Sequence, residues 1–269
     1  MDRLNPGALH RLLKYCRSQI HWLESMQPTG WFAKADGSAY SGNDKNVTIG
    51  HINYNTPMPT IEQARNWYTD SDPVHDFDHI MRVYRMVEHL AAAEGADLEI
   101  VRAAALLHDA SGSNLADTAK RATHHQASAE FAAEILSAEG WQAQRIAAVQ
   151  HCIRAHRFRD ASEPPQTIEA KVLFDADKLD AIGAVGVARV IAYSARIPRP
   201  FYAPPSEQFL KTGEKEPGEP HSAYHEHLFK LLKIKERMFT KTGKQIAEDR
   251  TRYLDDYFTR LIAEWNGEL

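Results

Sequence analysis

The pair His108-Asp109 carries the donor types of a metal site. It follows the largely apolar run 101–107, at the end of a predicted helix, where an adjacent imidazole and carboxylate can chelate one metal ion. The same donor types recur on either side of the pair. Upstream, residues 75–79 read His-Asp-Phe-Asp-His, and downstream, residues 175–180 read Asp-Ala-Asp-Lys-Leu-Asp. The chain therefore presents a histidine, the pair and an aspartate in that order.

Three strings around these residues resemble the HD-domain superfamily of metal-dependent phosphohydrolases. The strings are HDxxHxxRV from residue 75, LLHD ending at Asp109, and DADKLDAIGA from residue 175. Within the superfamily they look most like a small bacterial branch, some of whose members release pyrophosphate from nucleoside triphosphates. The resemblance runs from about residue 58 to the C-terminus. It implies an all-α fold, the HD-domain helical bundle.

The resemblance also implies a set of metal ligands. In the family, a histidine on one helix, the HD pair on the next and a later aspartate bind a divalent metal. Carried over to this chain, the ligands are His79, His108, Asp109 and Asp177. Nitrogen and carboxylate donors suit Mn²⁺, Co²⁺, Mg²⁺ or Fe²⁺, with Mn²⁺ as our first choice, and leave positions for water and phosphate oxygens. Asp175 competes with Asp177, but the family position is the aspartate directly before Lys178.

Five side chains receive catalytic or substrate roles by resemblance and by charge. Asp109 and Lys178 are predicted to be catalytic, and the Lys178 ammonium also offers a point charge to phosphate. Asp180 either orients a neighbouring group or acts as a general base. His75 and Arg82 are candidate substrate contacts, and for Arg82 an ion pair with a helix neighbour is the alternative.

Four histidines lie between the HD pair and the final aspartate: His124, His125, His151 and His156. Some HD enzymes use histidines in this region to bind a second metal. In the single-metal branch, a histidine in the AHRF-like position, here His156, is a phosphate contact. We also take His125 as a substrate contact. We favour one metal, and two metals remain the alternative.

The five residues after the HD pair depart from the family pattern. Residues 110–114 read Ala-Ser-Gly-Ser-Asn, where the family often has a bulky aliphatic residue followed by Gly and Asp. The missing acidic residue argues against a base or ligand at that position. The segment either presents backbone amides to a phosphate or forms a flexible turn.

Hydrophobic periodicity predicts helices along most of the chain after residue 58. Thr60 and Gln63 form a capping-box pattern at the first helix start. Helices are predicted over 80–90, 100–107, 126–139, 142–155 and 168–182, followed by a small-residue segment at 183–195. No alternating strand pattern is present. Because helical stripes must be buried against one another, the sequence predicts helix packing on helix.

The region after residue 197 contains a break and then more helix. Residues 198–220 hold several prolines and glycines, which predicts a long loop, either a surface insertion or a lid over the site. Amphipathic C-terminal helices are predicted around 228–232 and 253–265. The last one docks on the domain core or forms the face of a homodimer.

Composition limits the class of protein. The 269 residues are 43% hydrophobic, enough for one large helical domain. We divide them into an N-terminal extension of uncertain order, 1–57, and an HD domain with a C-terminal helical part, 58–269. The net charge of −4 does not favour a long nucleic acid as partner. Two cysteines without a CxxC motif, no signal-peptide pattern and no apolar stretch of membrane length indicate a cytoplasmic protein without membrane association.

Three functions are consistent with these observations. The first is a metal-dependent phosphohydrolase whose substrate is a small-molecule nucleotide, with release of pyrophosphate from a nucleoside triphosphate as its specific form. The second is a mixed-valent di-iron oxygenase that uses the additional histidines. The third is a non-catalytic module that senses a nucleotide.

Overall fold

The computed structural model describes residues 58–68, 77–111, 118–157 and 163–269. These residues belong to one compact unit, and every regular element among them is a helix. The predicted all-α fold is therefore confirmed. The predicted extension 1–57 and the candidate substrate contact His75 lie outside the described residues.

The described part of the chain contains ten α-helices. In chain order they are α1 (Ile61–Arg65), α2 (Phe77–Glu94), α3 (Leu98–Leu107), α4 (Thr118–Ala138), α5 (Ala143–Ala155), α6 (Ile168–Leu179), α7 (Gly183–Arg196), α8 (Glu207–Thr212), α9 (Ala223–Phe229) and α10 (Lys241–Trp265). Short 3-10 turns lie at Asn66–Tyr68, Leu231–Lys233 and Lys235–Arg237. Among the described helices, none has both the length and the apolar character needed to span a bilayer.

Helix α6 forms the centre of the bundle. It packs against α2, α3, α5 and α10, and its Val172 and Leu173 are fully buried. The three alanines at 103–105 on α3 are also fully buried. Because small side chains let helix axes come close, α3 and α6 can pack tightly. The C-terminal end of α3 thereby lies beside the last turn of α6.

Most of the predicted helices are present. The predicted stretches 80–90, 100–107, 126–139 and 142–155 correspond to α2, α3, α4 and α5, and the segment 183–195 forms α7. The capping box at α1 is also confirmed. Thr60 Oγ1 accepts from the Gln63 backbone N–H at 3.1 Å, and the Gln63 side chain accepts from the Thr60 N–H at 2.7 Å.

The predicted helix 168–182 extends three residues too far. Helix α6 ends at Leu179, and its C-cap Asp180 turns its backbone N–H back to the carbonyl of Asp177. The next helix starts at Gly183 with a φ of 74°, a conformation that favours glycine. This sharp turn releases Asp180 from the helix and directs it into the region between α2 and α7.

Two predictions in the C-terminal part are corrected. The predicted loop 198–220 contains the short helix α8, with Ser206 as its N-cap and Gly213 at a φ of 78° as its C-cap. Prolines on both sides obscured these ordinary helix signals. The helix predicted around 228–232 lies earlier, because α9 ends at Phe229 and a 3-10 turn follows.

The last amphipathic stripe docks on the domain core, one of its two predicted roles. It lies in α10, which packs against α6 and α7. Leu254 and Phe258 on this helix are buried in the same core as the rest of the bundle. The buried face of α10 therefore forms part of the domain interior.

Candidate metal centre

Histidine and aspartate side chains from separate helices meet in one place. His79 is in the first turn of α2, His108 caps the C-terminus of α3, and Asp109 follows it. His156 caps the C-terminus of α5, and Asp177 stands in the last turn of α6. We call the whole set the metal cluster: His79, His108, Asp109, His124, His156 and Asp177.

The four ligands implied by the family resemblance lie together in this cluster. His79, His108 and Asp109 each offer one ligand atom, and these three atoms lie within 4.8 Å of one another. Asp177 is at the edge of the group, with its Oδ1 3.5 Å from Nε2 of His79. Its other oxygen, Oδ2, accepts from Lys178 Nζ at 2.6 Å. Lys178 thus places its charge directly beside the cluster.

Three of the histidines have their Nδ1 atom held by an acceptor. His108 Nδ1 is 2.8 Å from the carbonyl of Ala105, and His156 Nδ1 is 2.5 Å from the carbonyl three residues earlier. His79 Nδ1 is 2.7 Å from Oδ2 of Asp180. Because an oxygen acceptor fixes a proton on Nδ1, a ring that carries one proton has its lone pair on Nε2. That is the tautomer that binds a metal through Nε2.

The Nε2 atoms face carboxylate oxygens, which also accept rather than donate. Nε2 of His108 is 3.6 Å from Asp109 Oδ2, and Nε2 of His156 is 3.5 Å from Asp109 Oδ1. The buried atoms His108 Nε2 and Asp109 Oδ1 form no hydrogen bond. Facing acceptors without a donor are unfavourable in a protein interior. A divalent cation would satisfy them together, so the residues fit the metal that the family resemblance implies.

Burial and neighbouring charge favour the protonation states that a metal requires. Burial lowers the pKa of His108 to about 4, so the ring is neutral at neutral pH. Burial alone would raise the pKa of Asp109 and Asp177. The combined interactions with His108, His124 and His156 outweigh burial for Asp109, and the Lys178 ammonium together with the neighbouring histidines outweighs it for Asp177. Both carboxyl pKa values lie well below the ordinary range, and both groups are anionic.

Asp180 lies behind His79, on the side away from the other ligands. Its carboxylate accepts from Arg82 Nε at 2.7 Å and from Arg189 Nη1 at 2.6 Å, in addition to contacting His79. Of its two predicted roles, orientation of a neighbour is the one that this position favours. Arg82 donates to Asp180 at the end of α6 through both Nε and Nη2.

Three other candidates lie away from the cluster or at its margin. His151 Nδ1 is 2.8 Å from Glu163, and its Nε2 accepts from the Gln166 N–H at 3.2 Å. His125 is buried beside His124, with ring centroids 5.8 Å apart, but belongs to neither group of convergent ligand atoms. Asp175 accepts hydrogen bonds from the start of α10 and does not face the metal cluster.

A second group of ligand atoms shares Asp109. Asp109, His124 and His156 also place one ligand atom each within 4.8 Å of one another. Nε2 of His124 is 3.3 Å from Asp109 Oδ1. Asp109 thus stands between two sets of histidines, with one carboxylate oxygen toward each. This geometry keeps both the one-metal and the two-metal interpretation open.

Sequence reasoning missed Arg189, which donates to both the side chain and the backbone carbonyl of Asp180. The residue lies in the small-residue segment that forms α7, and nothing in its neighbourhood marks it. After the HD pair, Ser111 exchanges hydrogen bonds with Ser128 on α4. Residues 112–114 of the departing segment lie outside the described residues.

Comparisons with known proteins identify the family of the chain. The HD domain family matches residues 76–182 of the chain. The chain is 32% identical over 217 residues to the uncharacterized protein YpgQ of Bacillus subtilis. The aligned region covers 78% of this chain and 96% of YpgQ.

Two crystal structures show the similarity in three dimensions. One is an HD-superfamily hydrolase from Bacillus thuringiensis, with a TM-score of 0.59, 29% identity, and coverage of 77% of this chain and 94% of that chain. The other is B. subtilis YpgQ in complex with ADP, with a TM-score of 0.58, 30% identity, and coverage of 76% and 97%. The chain belongs to the HD domain family, because the family model and the relative YpgQ both match it. Its His/Asp cluster is also able to hold a divalent metal.

Proposed function

We propose that the protein is a metal-dependent phosphohydrolase that acts on nucleotides and releases pyrophosphate from a nucleoside triphosphate. The observation that carries this proposal is the convergence of Nε2 atoms and anionic carboxylates in the metal cluster, with buried acceptor atoms that form no hydrogen bond. The solved complex of the relative YpgQ with ADP supports a nucleotide as the ligand class.

In this proposal His79, His108, Asp109 and Asp177 hold the metal. A divalent metal held by these residues would supply Lewis-acid chemistry at the phosphoryl oxygens and a more nucleophilic water at neutral pH. The protein contributes the fixed geometry. Asp180 holds His79 in one orientation through its Nδ1 proton, and hydrogen bonds to such outer partners tune a ligand's basicity.

In this proposal the charge beside the cluster helps to bind phosphate. Lys178 is held next to Asp177 and also lies over the ring of Phe174, with Nζ 5.5 Å from the ring centroid. Its ammonium can offset the negative charge that accumulates on phosphoryl oxygens. His156 presents its Nε2 atom from the other side of Asp109. With both ring nitrogens protonated, His156 would donate from that atom to a phosphate when a single metal occupies the cluster.

A hydrolysis screen tests the proposal. The metal-stripped chain receives Mn²⁺, Co²⁺, Mg²⁺ or Fe²⁺ one at a time and is offered a panel of ribo- and deoxyribonucleoside triphosphates, with products resolved by chromatography. We expect metal-dependent formation of a nucleoside monophosphate and pyrophosphate in equal amounts. Asp109→Asn keeps the size of the side chain and should abolish that activity.

Several outcomes would contradict the proposal. Orthophosphate in place of pyrophosphate would indicate a different phosphohydrolase reaction. Nucleotide binding without turnover under every metal would indicate a sensing module. Full activity of Asp109→Asn would remove the metal cluster from the reaction.

The second ligand group favours one alternative, the mixed-valent di-iron oxygenase. Asp109 lies between two sets of histidines, a position from which one carboxylate can bridge two metals. Metal analysis of protein reconstituted with iron distinguishes the two functions. Two irons per chain with oxygen consumption would favour the oxygenase, whereas one metal per chain with pyrophosphate release would exclude it.

A further inference from the structure

A crevice lined by arginines lies behind the metal cluster. Arg82 and Arg85 on α2 and Arg250 on α10 line it, and Asp180 and Val185 complete part of its wall. None of the four predicted metal ligands lines it. Asp180 separates the two sites, because its carboxylate contacts His79 on one side and Arg82 on the other.

Positive charge exceeds negative charge in this crevice. Its single lining carboxylate, Asp180, is already shared by Arg82, Arg189 and His79. Arg85 is exposed and forms no hydrogen bond or ion pair with the described residues. Three guanidinium groups therefore border a small space with one heavily shared counter-charge. Such an arrangement attracts an anion.

The Arg250 side chain is held in place, and its positive charge is only partly offset by nearby carboxylates. Its Nη1 donates to the carbonyl of Leu179 at 2.6 Å, and its side chain packs over Gly183, where a Cβ would approach Arg250 Cγ to 3.0 Å. Burial lowers the pKa of Arg250, and the charge of Asp180 opposes that effect without cancelling it. The guanidinium is thus held at the crevice and is not drawn away by an ion pair of its own.

The neighbouring helix start adds to the same potential. Val185 is in the first turn of α7, a helix of 14 residues whose N-cap Ile182 provides no capping side chain. First-turn backbone amides carry partial positive charge and suit anions. Met86 and Val185 give the crevice an apolar wall beside its charged one. The N-terminus of α7 and the three arginines therefore both contribute positive potential to the crevice.

We propose that this arginine crevice binds a phosphate group at a site separate from the metal centre. Each guanidinium group presents several N–H donors in one plane. This arrangement suits the several oxygens of a phosphate better than a single halide ion. The phosphate belongs either to a free inorganic anion or to a nucleotide whose remaining part rests on the Met86 and Val185 wall. Binding here needs no hydrolysis, so it is independent of the proposed reaction.

Calorimetric titration of the full-length, metal-stripped chain tests this site, since phosphate then has no metal to bind. The ligands are inorganic phosphate, pyrophosphate and adenosine monophosphate. Arg85→Gln removes a guanidinium that forms no hydrogen bond or ion pair with the described residues, and Arg250→Gln removes one that is held by the Leu179 carbonyl. Arg252→Gln, on the exposed face of α10, is the matched control. Circular dichroism verifies that each variant keeps its helices.

We expect pyrophosphate to bind with one site per chain and to weaken about tenfold or more in Arg85→Gln, with no change in Arg252→Gln. Arg85→Lys should restore part of the affinity, because a charge returns without the planar fork. Tighter binding of the monophosphate than of free phosphate assigns the site to a nucleotide, and equal binding assigns it to the free anion.

Two results would overturn the proposal. One is the absence of binding for all three ligands in the parent chain. The other is equal affinity in Arg85→Gln and Arg252→Gln, which would place any bound phosphate elsewhere. If the chelated chain loses helicity, the same comparison is made on the metal-loaded protein, where Arg85→Gln should lose one phosphate site while the control keeps it.

Discussion

Two groups of buried histidines and carboxylates in this protein differ in how fully they are hydrogen-bonded. In the C-terminal part, His225 has a partner at both ring nitrogens: Nδ1 is 2.7 Å from Ser222 Oγ and Nε2 is 2.9 Å from Glu219 Oε1. Glu219 also accepts from the backbone N–H and the hydroxyl of Ser206. We call Ser206, Glu219, Ser222 and His225 the loop network. In the metal cluster, His108 has a partner at Nδ1 and none at Nε2.

The difference separates a structural role from a ligand role. A buried histidine whose two nitrogens are both hydrogen-bonded is complete without any further group. The loop network therefore explains how the segment between α8 and α9 is held. A buried ring with one nitrogen fixed and the other facing carboxylates is incomplete, and a cation completes it. Composition alone cannot make this distinction, because both groups consist of histidine and acid.

The largest expected effect comes from replacing the buried histidine in each group. His108→Gln should weaken Mn²⁺ binding by at least about 100-fold, since even changes to outer partners cost about 10–100-fold. His225→Gln should leave Mn²⁺ binding unchanged and lower the free energy of unfolding by about 1–3 kcal/mol, because buried partners lose their hydrogen bonds. Calorimetric Mn²⁺ titration and urea unfolding of the metal-free chains measure the two effects.

The comparison of the two groups fails if these effects are exchanged. A His225→Gln variant that loses Mn²⁺ affinity would make the loop network part of the metal site. A His108→Gln variant that binds Mn²⁺ normally would show that the orphaned Nε2 atom has a different purpose.

A second prediction uses two aspartates on the same helix end. Asp180→Asn removes the charge behind His79 and leaves Arg82 and Arg189 without their carboxylate, so Mn²⁺ affinity should fall about 10–100-fold. Asp175→Asn should leave Mn²⁺ affinity unchanged. It should instead destabilise the chain by about 1–3 kcal/mol, because Asp175 accepts from the backbone N–H groups of Phe239 and Thr240.

Chelator competition for the metal and urea unfolding for stability separate the two aspartates. Equal loss of Mn²⁺ affinity in both variants would show only that distortion of α6 disturbs the metal centre. An unchanged Asp180→Asn would remove Asp180 from any support of His79.

The aspartates of α6, Asp175 and Asp177, show how far sequence reasoning could go. Asp175 and Asp177 both matched a ligand type, and only the family position distinguished them. Residues two apart on a helix point in different directions, so at most one of them could face the ligands on α2 and α3. The direction itself depends on which helices surround α6, and that is a tertiary fact. The structure directs Asp175 to α10 and Asp177 to His79.

Local sequence patterns predicted the helices of the fold better than they predicted the residues that surround the site. Apolar periodicity located α2 to α5, because each buries one stripe in the core. Helix α8 was missed, although Ser206 and Gly213 are normal cap residues, because the flanking prolines dominated the interpretation. Arg189 and Arg250 reach Asp180 and the arginine crevice from α7 and α10. No local pattern predicts contacts between elements so distant in the chain.

A third prediction concerns the number of metals. His124 belongs to the second ligand group only, so His124→Ala should leave one Mn²⁺ per chain and reduce pyrophosphate release no more than about tenfold. Metal content by mass spectrometry and steady-state hydrolysis measure this. A decrease from two metals to one in this variant would show that Asp109 bridges a two-metal site. Gln126→Ala, an exposed neighbour on α4, is the control.

The smallest expected effect is the acid sensitivity of the loop network. Burial would raise the pKa of Glu219, but hydrogen bonds from the Ser206 amide and from His225 lower it from 4.5 to about 2. Between these two values the unfolded chain binds more protons than the folded one. The stabilisation from Glu219 is therefore complete above about pH 4.5 and is lost as the pH falls toward 2.

Glu219→Gln should lower the melting temperature at pH 5 and have a progressively smaller effect at lower pH, whereas the exposed Glu248→Gln should have none at any pH. A melting-temperature difference for Glu219→Gln that is constant from pH 5 to pH 2 would show that the network is held by shape and not by the carboxylate charge.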